Sequence, residues 1–167
     1  MPSPADVRYL PETADHDAVI AEIADEAFGP GRFARAAERV REMAAHDRAL
    51  SFVAVLNGGV IGSVRLTPVA IGRRPALMLG PLAVRPAHKN KGVGKALMRL
   101  AAEGAMRAGE TVIFLVGDLP YYGPLGYRRL PPGSVRMPGP VDPARLLALP
   151  LAEGALTGLS GRVAPRL

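Results

Sequence analysis

The sequence predicts one α/β domain built around a mixed sheet. Three observations carry that reading. Apolar spacing alternates between strand and helix periods along the 167 residues: strand, two helices, a run of antiparallel strands, then strand–helix–strand. The run Thr111–Val116 (TVIFLV) is apolar without interruption, the pattern of a strand covered on both faces. Apolar residues are 49% and charged residues 22%, with no cysteine, which excludes both a disordered chain and a disulfide scaffold. The domain is expected to span 1–167, with 130–167 a poorly defined extension of the sheet.

Each element has its own local cause. Val7–Leu10 predicts a short strand closed by Pro11. Over Asp15–Phe28, apolar residues at 19, 20, 23, 24 and 27 fall at helical spacing, with Thr13 or Asp15 as the cap. Gly29-Pro30-Gly31 breaks the chain, and Arg32–Asp47, rich in Arg and Glu, predicts a second helix. Ser51–Leu56 reads as a strand. Asn57-Gly58 tolerates positive φ at both positions and predicts a tight hairpin into Val60–Val69. Arg73-Arg74 fall in the next turn. Ala76–Val84 (ALMLGPLAV) is a further strand, interrupted at Gly80-Pro81, where the missing proline donor predicts an edge or a bulge.

Residues 85–91 form a basic loop. Gly92–Ala108 predicts a helix with Val93, Ala96, Leu97, Leu100, Ala101 and Ala105 on one face, stopped by Gly109. After the Thr111–Val116 strand, Pro120 opens and Gly126 closes a very short helix. Beyond Leu130 the pattern weakens to two short strand candidates, Arg145–Leu149 and Gly161–Ala164. The last forty residues complete the sheet, cover a cleft or form a homodimer contact, and the pattern does not separate these uses.

Net charge is +6, but its distribution is uneven. Residues 1–47 carry five Arg and ten acids, residues 48–102 nine basic residues and no acid, and residues 103–167 seven basic and five acidic ones. All three lysines, Lys89, Lys91 and Lys95, lie within seven residues. Such a cluster is either a solvated loop or a site for a polyanionic ligand, whose local concentration it raises. Aromatics are 5% and none interleave with the basic run, so no nucleic-acid stacking surface is expected. Without cysteine there is no thiolate metal site, redox pair or acyl-thioenzyme. His16, His46 and His88 lack metal-ligand spacing, and no metal is expected. No apolar run approaches the length of a membrane span, and the first twenty residues lack a signal pattern, so a cytoplasmic protein without membrane contact is expected.

The chemistry is expected at VRPAHKNKGVGKALMRLA (84–101), where a strand ends, a basic glycine loop follows and a helix begins. Backbone N–H groups at a helix start attract anions, and glycine lets a phosphate approach closely. A P-loop would need glycine at Lys89 and a hydroxyl at Ala96. A dinucleotide fingerprint would need glycine at Leu97. A kinase glycine loop lies between two strands, not before a helix.

The loop resembles instead the coenzyme A loop of the GNAT N-acetyltransferases, Arg/Gln-x-x-Gly-x-Gly/Ala preceded by Val-x-Pro. Val84-Arg85-Pro86 is followed by Lys89-Asn90-Lys91-Gly92-Val93-Gly94, with Lys89 where Arg or Gln is usual. Lysine keeps the charge and loses the planar fork. A second motif, Tyr-x-x-x-Gly-Phe, is matched by Tyr122-Gly123-Pro124-Leu125-Gly126-Tyr127. The run Gly117-Asp118-Leu119-Pro120-Tyr121-Tyr122 is similar to a bacterial branch of acetyltransferases. The resemblance follows the element order over about residues 5–130 and is specific at 77–127.

The resemblance implies a mostly antiparallel sheet flanked by helices, with a splayed parallel strand pair that binds CoA. It implies acetyl transfer from acetyl-CoA to a primary amine, borne by a small molecule or a peptide, by direct attack. The pyrophosphate would lie on the loop Lys89, Asn90, Lys91, Gly92, Val93, Gly94 and Lys95, and the pantetheine arm along Leu82, Ala83 and Val84. A bulge at Gly80-Pro81 would free an amide there, at Leu82 or Ala83, for the oxyanion. Tyr122 is the expected general acid for the leaving thiolate, with Tyr121 packed. Asp118 ranks first as general base, ahead of Glu26, His88 or a water. The acceptor would be held by the first two helices, whose acidic balance suits a cationic amine. The alternative on the same fold is a non-catalytic acyl-CoA-binding domain.

Overall fold

The computed structural model describes residues 6–166, with 33 and 34 in backbone only. Strands β1 (Arg8–Pro11), β2 (Phe52–Leu56), β3 (Gly59–Ile71) and β4 (Arg74–Val84) pair in that order, each antiparallel to the last. β5 (Val112–Val116) joins β4 in parallel. Along the far edge, β6 (Arg128–Arg129) pairs with β8 (Leu146–Pro150), which lies antiparallel on β5. β7 (Val135–Arg136) and β9 (Gly161–Pro165) form a short parallel pair, and β9 caps the end of β3. Among the described residues four α-helices accompany the sheet: α1 (Asp17–Phe28), α2 (Ala36–Met43), α3 (Val93–Arg107) and the single turn α4 (Leu119–Tyr122). This is the mixed, mostly antiparallel α/β class that the sequence predicts.

The central strands have two covered faces. Leu77 and Leu79 of β4 and Ile113 and Leu115 of β5 pack with Leu97, Met98 and Ala101 of α3. The alternate residues Ala76, Met78, Val112 and Phe114 pack on the other face with Val40 of α2 and with Leu146, Leu159 and Val163. The uninterrupted TVIFLV run has this cause: a period of two offers a side chain to each face in turn, and both faces are dry.

Turn residues place the joints. Asn57 (φ 52°) and Gly58 (φ 80°) make the β2–β3 hairpin turn. Gly109 (φ 80°) follows the last turn of α3. The second helix is shorter than the expected Arg32–Asp47. Residues 30–34 take a 3₁₀ turn after Gly29 (φ 69°), and the chain is extended again at Ala44. Asp47 explains the early end: its side chain accepts from the Ala49 N–H (2.9 Å) and its own N–H donates to Leu66 O (2.8 Å), so local capping and pairing with β3 compete with the helix.

The junction between β1 and α1 is tied down by a charge network. The Glu12 side chain is 0% exposed and meets His46 Nε2 (2.6 Å), Arg48 (2.7 Å) and Arg65 Nε (2.7 Å). Arg48 and Arg65 also pair with Asp17 at the start of α1. Burial alone would raise the Glu12 carboxyl, but hydrogen bonds from His46 and Arg65, with their charges, hold it below its usual value.

Candidate active site

β4 and β5 are paired at only two positions, Leu77 opposite Ile113 and Met78 opposite Phe114. Both strands then run on, to Val84 and Val116, without facing each other across a ladder. The cause lies in β4. Its pairing with β3 slips between Leu79 (opposite Leu66) and Leu82 (opposite Val64), so Gly80 and Pro81 form the bulge. The Gly80–Pro81 peptide is cis, Gly80 has φ 138°, and Arg41 Nε donates to Gly80 O (3.3 Å). Between the parted strands opens a cleft of about 900 Å³.

One wall of the cleft is the glycine loop. Gly92 (φ 86°) caps α3, and Ala96 N–H is the first to close a helical bond, to Gly92 O (3.0 Å). The N–H groups of Val93, Gly94 and Lys95 therefore precede any intrahelical acceptor. A Cβ on Gly92 would meet nothing within 4 Å. One on Gly94 would meet only the Tyr121 hydroxyl (2.9 Å) and, at 3.9 Å, Val84. Lys89, Asn90, Gly92, Gly94 and Lys95 line the cleft, as do Leu82 and Val84. The Ala83 and Val93 side chains are buried and Lys91 is exposed outside the lining, so the first two can serve a ligand only through backbone.

The tyrosines form the second wall. Tyr122 packs edge-on against Tyr121 (4.7 Å) and Tyr127 (5.8 Å) and against the α carbon of Gly117, where a Cβ would overlap its ring. Burial, then the neighbouring Tyr121 and Asp118, push its hydroxyl up to about 12. Tyr121, expected to pack, is 41% exposed and lines the cleft with its hydroxyl near Gly94. Asp118 lies at the same mouth, 73% exposed, with Oδ1 3.2 Å from Arg145 Nε. Its carbonyl, not its side chain, accepts from the first turn of α4.

The remaining wall comes from the α1–α2 joint and the segment before β8. It carries Phe28, Arg32, Arg35, Arg41, Asp142 and Arg145. The sequence reading puts Arg32, Arg35 and Arg41 on one helix, Arg32–Asp47, and singles out none of them or Arg145. The signal for Arg32, Arg35 and Arg41 is their clustering after the Gly29-Pro30-Gly31 break. Of the other base candidates, His88 lines the cleft, whereas Glu26 pairs with Arg85 outside the lining.

A mostly antiparallel sheet with one parallel pair that parts beside a helix start defines the GNAT class of α/β fold. The chain belongs to the acetyltransferase (GNAT) family, whose model matches residues 18–123. A GNAT family N-acetyltransferase from Escherichia coli, solved in complex with CoA, shares the fold at a TM-score of 0.74 and 23% identity, over 94% of this chain and 87% of that one. A GNAT family acetyltransferase from Brucella melitensis, in complex with acetyl-CoA, aligns at a TM-score of 0.69 and 26% identity, over 95% and 94%. One from Elizabethkingia anophelis with acetyl-CoA bound aligns at 0.61 and 15% identity, over 87% and 98%. No curated protein sequence matches the chain. No helix among the described residues is long and apolar enough to cross a membrane.

Proposed function

We propose that this protein transfers an acetyl group from acetyl-CoA to a primary amine by direct attack. The observation that carries the reading is the parted β4–β5 pair opening onto a basic glycine loop at the start of α3. The cradle suits a pyrophosphate. Three orphan N–H groups, the glycines Gly92 and Gly94, with open space beside Gly92, and the lysines Lys89, Lys91 and Lys95 belong to one loop. The backbone edge of Leu82–Val84 that β5 leaves unpaired suits the amides of a pantetheine arm.

The amine nitrogen attacks the thioester carbonyl carbon. An amide at Leu82 or Ala83 donates to the developing oxyanion, the C–S bond breaks, and the thiolate takes the Tyr122 phenolic proton. The nitrogen loses its proton to Asp118 or to a water. With Tyr122 at about 12 and an ordinary thiol near 8.5, proton transfer to a fully hydrated thiolate would be uphill by about 5 kcal/mol. A thiolate leaving beside the same half-buried ring is itself raised by desolvation, which narrows that gap.

The test is thermal unfolding with acetyl-CoA, with CoA and with ATP, followed by an amine screen. Ligand at a hundred times its Kd stabilises by about 2.7 kcal/mol, on the order of 5–11 °C in Tm at this size. A rise with acetyl-CoA and CoA but not ATP is expected. No rise at millimolar acetyl-CoA overturns the reading. A rise without transfer to any amine marks a non-catalytic acyl-CoA-binding domain.

A further inference from the structure

We infer that the acceptor is a small amine carrying its own anionic group, a carboxylate or phosphate, held by the Arg35 guanidinium. The inference rests on the acetyl-transfer reading and specifies its substrate class. The cleft wall away from the glycine loop carries four arginines, Arg32, Arg35, Arg41 and Arg145, against two aspartates, Asp118 and Asp142. Most of these charges already have work within the protein. Arg41 binds Glu38 and Gly80 O, Arg32 binds Asp25, and Arg145 binds Asp118. Asp142 accepts the Ala144 N–H (2.9 Å) as a local cap.

Arg35 differs from its neighbours. It is exposed at the N-terminal cap of α2 and makes no ion pair among the described residues. What positions it is the Phe28 ring, whose centroid lies 5.1 Å from its Cζ. A ring face attracts the cation without consuming its N–H donors. The fork is therefore held in place with its hydrogen bonds unspent, and a guanidinium fork matches carboxylate or phosphate oxygens two at a time. Arg35, Gly80–Pro81 and Asp118 line the same cleft. An anion at Arg35 would thus leave the amine on the same molecule directed toward the parted strands. A polyamine would meet guanidiniums with no carboxylate in surplus, which selects against it. The acidic balance of residues 1–47 is spent elsewhere: of its ten acids none lines the cleft.

The test measures kcat/KM with acetyl-CoA for matched amines: glycine against glycinamide, glutamate against its diamide, phosphoethanolamine against ethanolamine, and spermidine. Amidation also changes the amine's own basicity, so the diagnostic quantity is how each ratio changes with residue 35. The expected result is a preference for at least one anionic member, reduced about tenfold or more by Arg35→Ala and only partly restored by Arg35→Lys. The Tm rise with acetyl-CoA should be the same in all three proteins. Spermidine or the uncharged amines as the better substrates, or a preference that survives Arg35→Ala, overturns the inference. A smaller acetyl-CoA rise in Arg35→Ala also overturns it, by assigning Arg35 to the cofactor. Transfer to no member, with the acetyl-CoA rise intact, overturns the substrate class alone. Absence of that rise in the parent protein overturns the underlying reading as well.

Discussion

At the scale of single residues, one half-buried and one buried ionisable group, Tyr122 and Glu12, make opposite predictions about pH. Tyr122 is held protonated to about 12 by burial and by neighbouring negative charge. A group raised in this way keeps its proton through the neutral and mildly alkaline range. As the general acid it should give kcat no alkaline limb up to pH 10, and an apparent pKa for loss of kcat below 10 would remove it from the role. Tyr122→Phe keeps the ring that packs on Gly117, Tyr121 and Tyr127. It should lower kcat by about 10²-fold or more while leaving the acetyl-CoA-induced Tm rise in place. Glu12 runs the other way. Its folded pKa lies below the usual 4.5, so its stabilisation is present above that value and is lost as pH falls through the folded one. Glu12→Gln leaves His46, Arg48 and Arg65 facing no carboxylate there and should cost about 2–3 kcal/mol at pH 7, less than a fully buried pair because Arg48 is partly exposed. Urea unfolding from pH 7 to pH 2 checks this: the parent and variant curves should converge at the acid end. A constant gap would show that the network contributes nothing through charge.

At the scale of elements, the glycine loop separates stability from binding. Gly94 lies in the first turn of α3, and a methyl there would press on the Tyr121 hydroxyl, the movable end of a half-exposed side chain. Alanine also favours the helix over glycine by about 0.5–1 kcal/mol. Gly94→Ala should therefore melt no lower than the parent and keep most of the acetyl-CoA-induced rise, since the motif takes alanine here, whereas Gly94→Glu, which sets a carboxylate beside the N–H groups of Val93, Gly94 and Lys95, should lose it. An undiminished rise in Gly94→Glu would place the phosphates elsewhere. This loop was legible in the sequence because its chemistry is local: lysines, glycines and a helix start are contiguous. The β4 bulge was legible for the same reason, since Gly80-Pro81 disrupts a ladder wherever it falls. The arginine wall was not. It is assembled from the α1–α2 joint and from a segment a hundred residues later, and the period of a helix cannot show that a turn intervenes. The β6 and β7 strands were equally hidden, because two-residue strands such as Arg128–Arg129 carry no period.

At the scale of the whole molecule, the parted strand pair is a fork, and a fork needs its closed end held. The last forty residues supply that hold, through the part of the sequence that carried the least pattern. β8 covers β5, β9 covers the end of β3, and Pro140, Val141 and Asp142 reach the cleft, so the segment both completes the sheet and walls the site. Its final contact is Arg166. The guanidinium donates to Val69 O (3.2 Å) on β3, to Ala76 O (2.7 Å) on β4, and through two nitrogens to the Glu110 carboxylate (2.7 and 3.2 Å) just before β5. One side chain thus bridges the three strands at the end where Leu77 and Met78 still face Ile113 and Phe114. The Arg166 and Glu110 side chains are only 29% and 13% exposed, so removing the arginine strands a largely buried carboxylate and two carbonyls. Arg166→Ala should cost about 3 kcal/mol, on the order of 6–12 °C in Tm at this size. Arg166→Lys should recover only part of it, because one ammonium cannot span the same acceptors. The acetyl-CoA-induced rise should persist in both, since the glycine loop lies at the open end. A melting point within about 2 °C of the parent would show that the fork is held by its apolar faces alone.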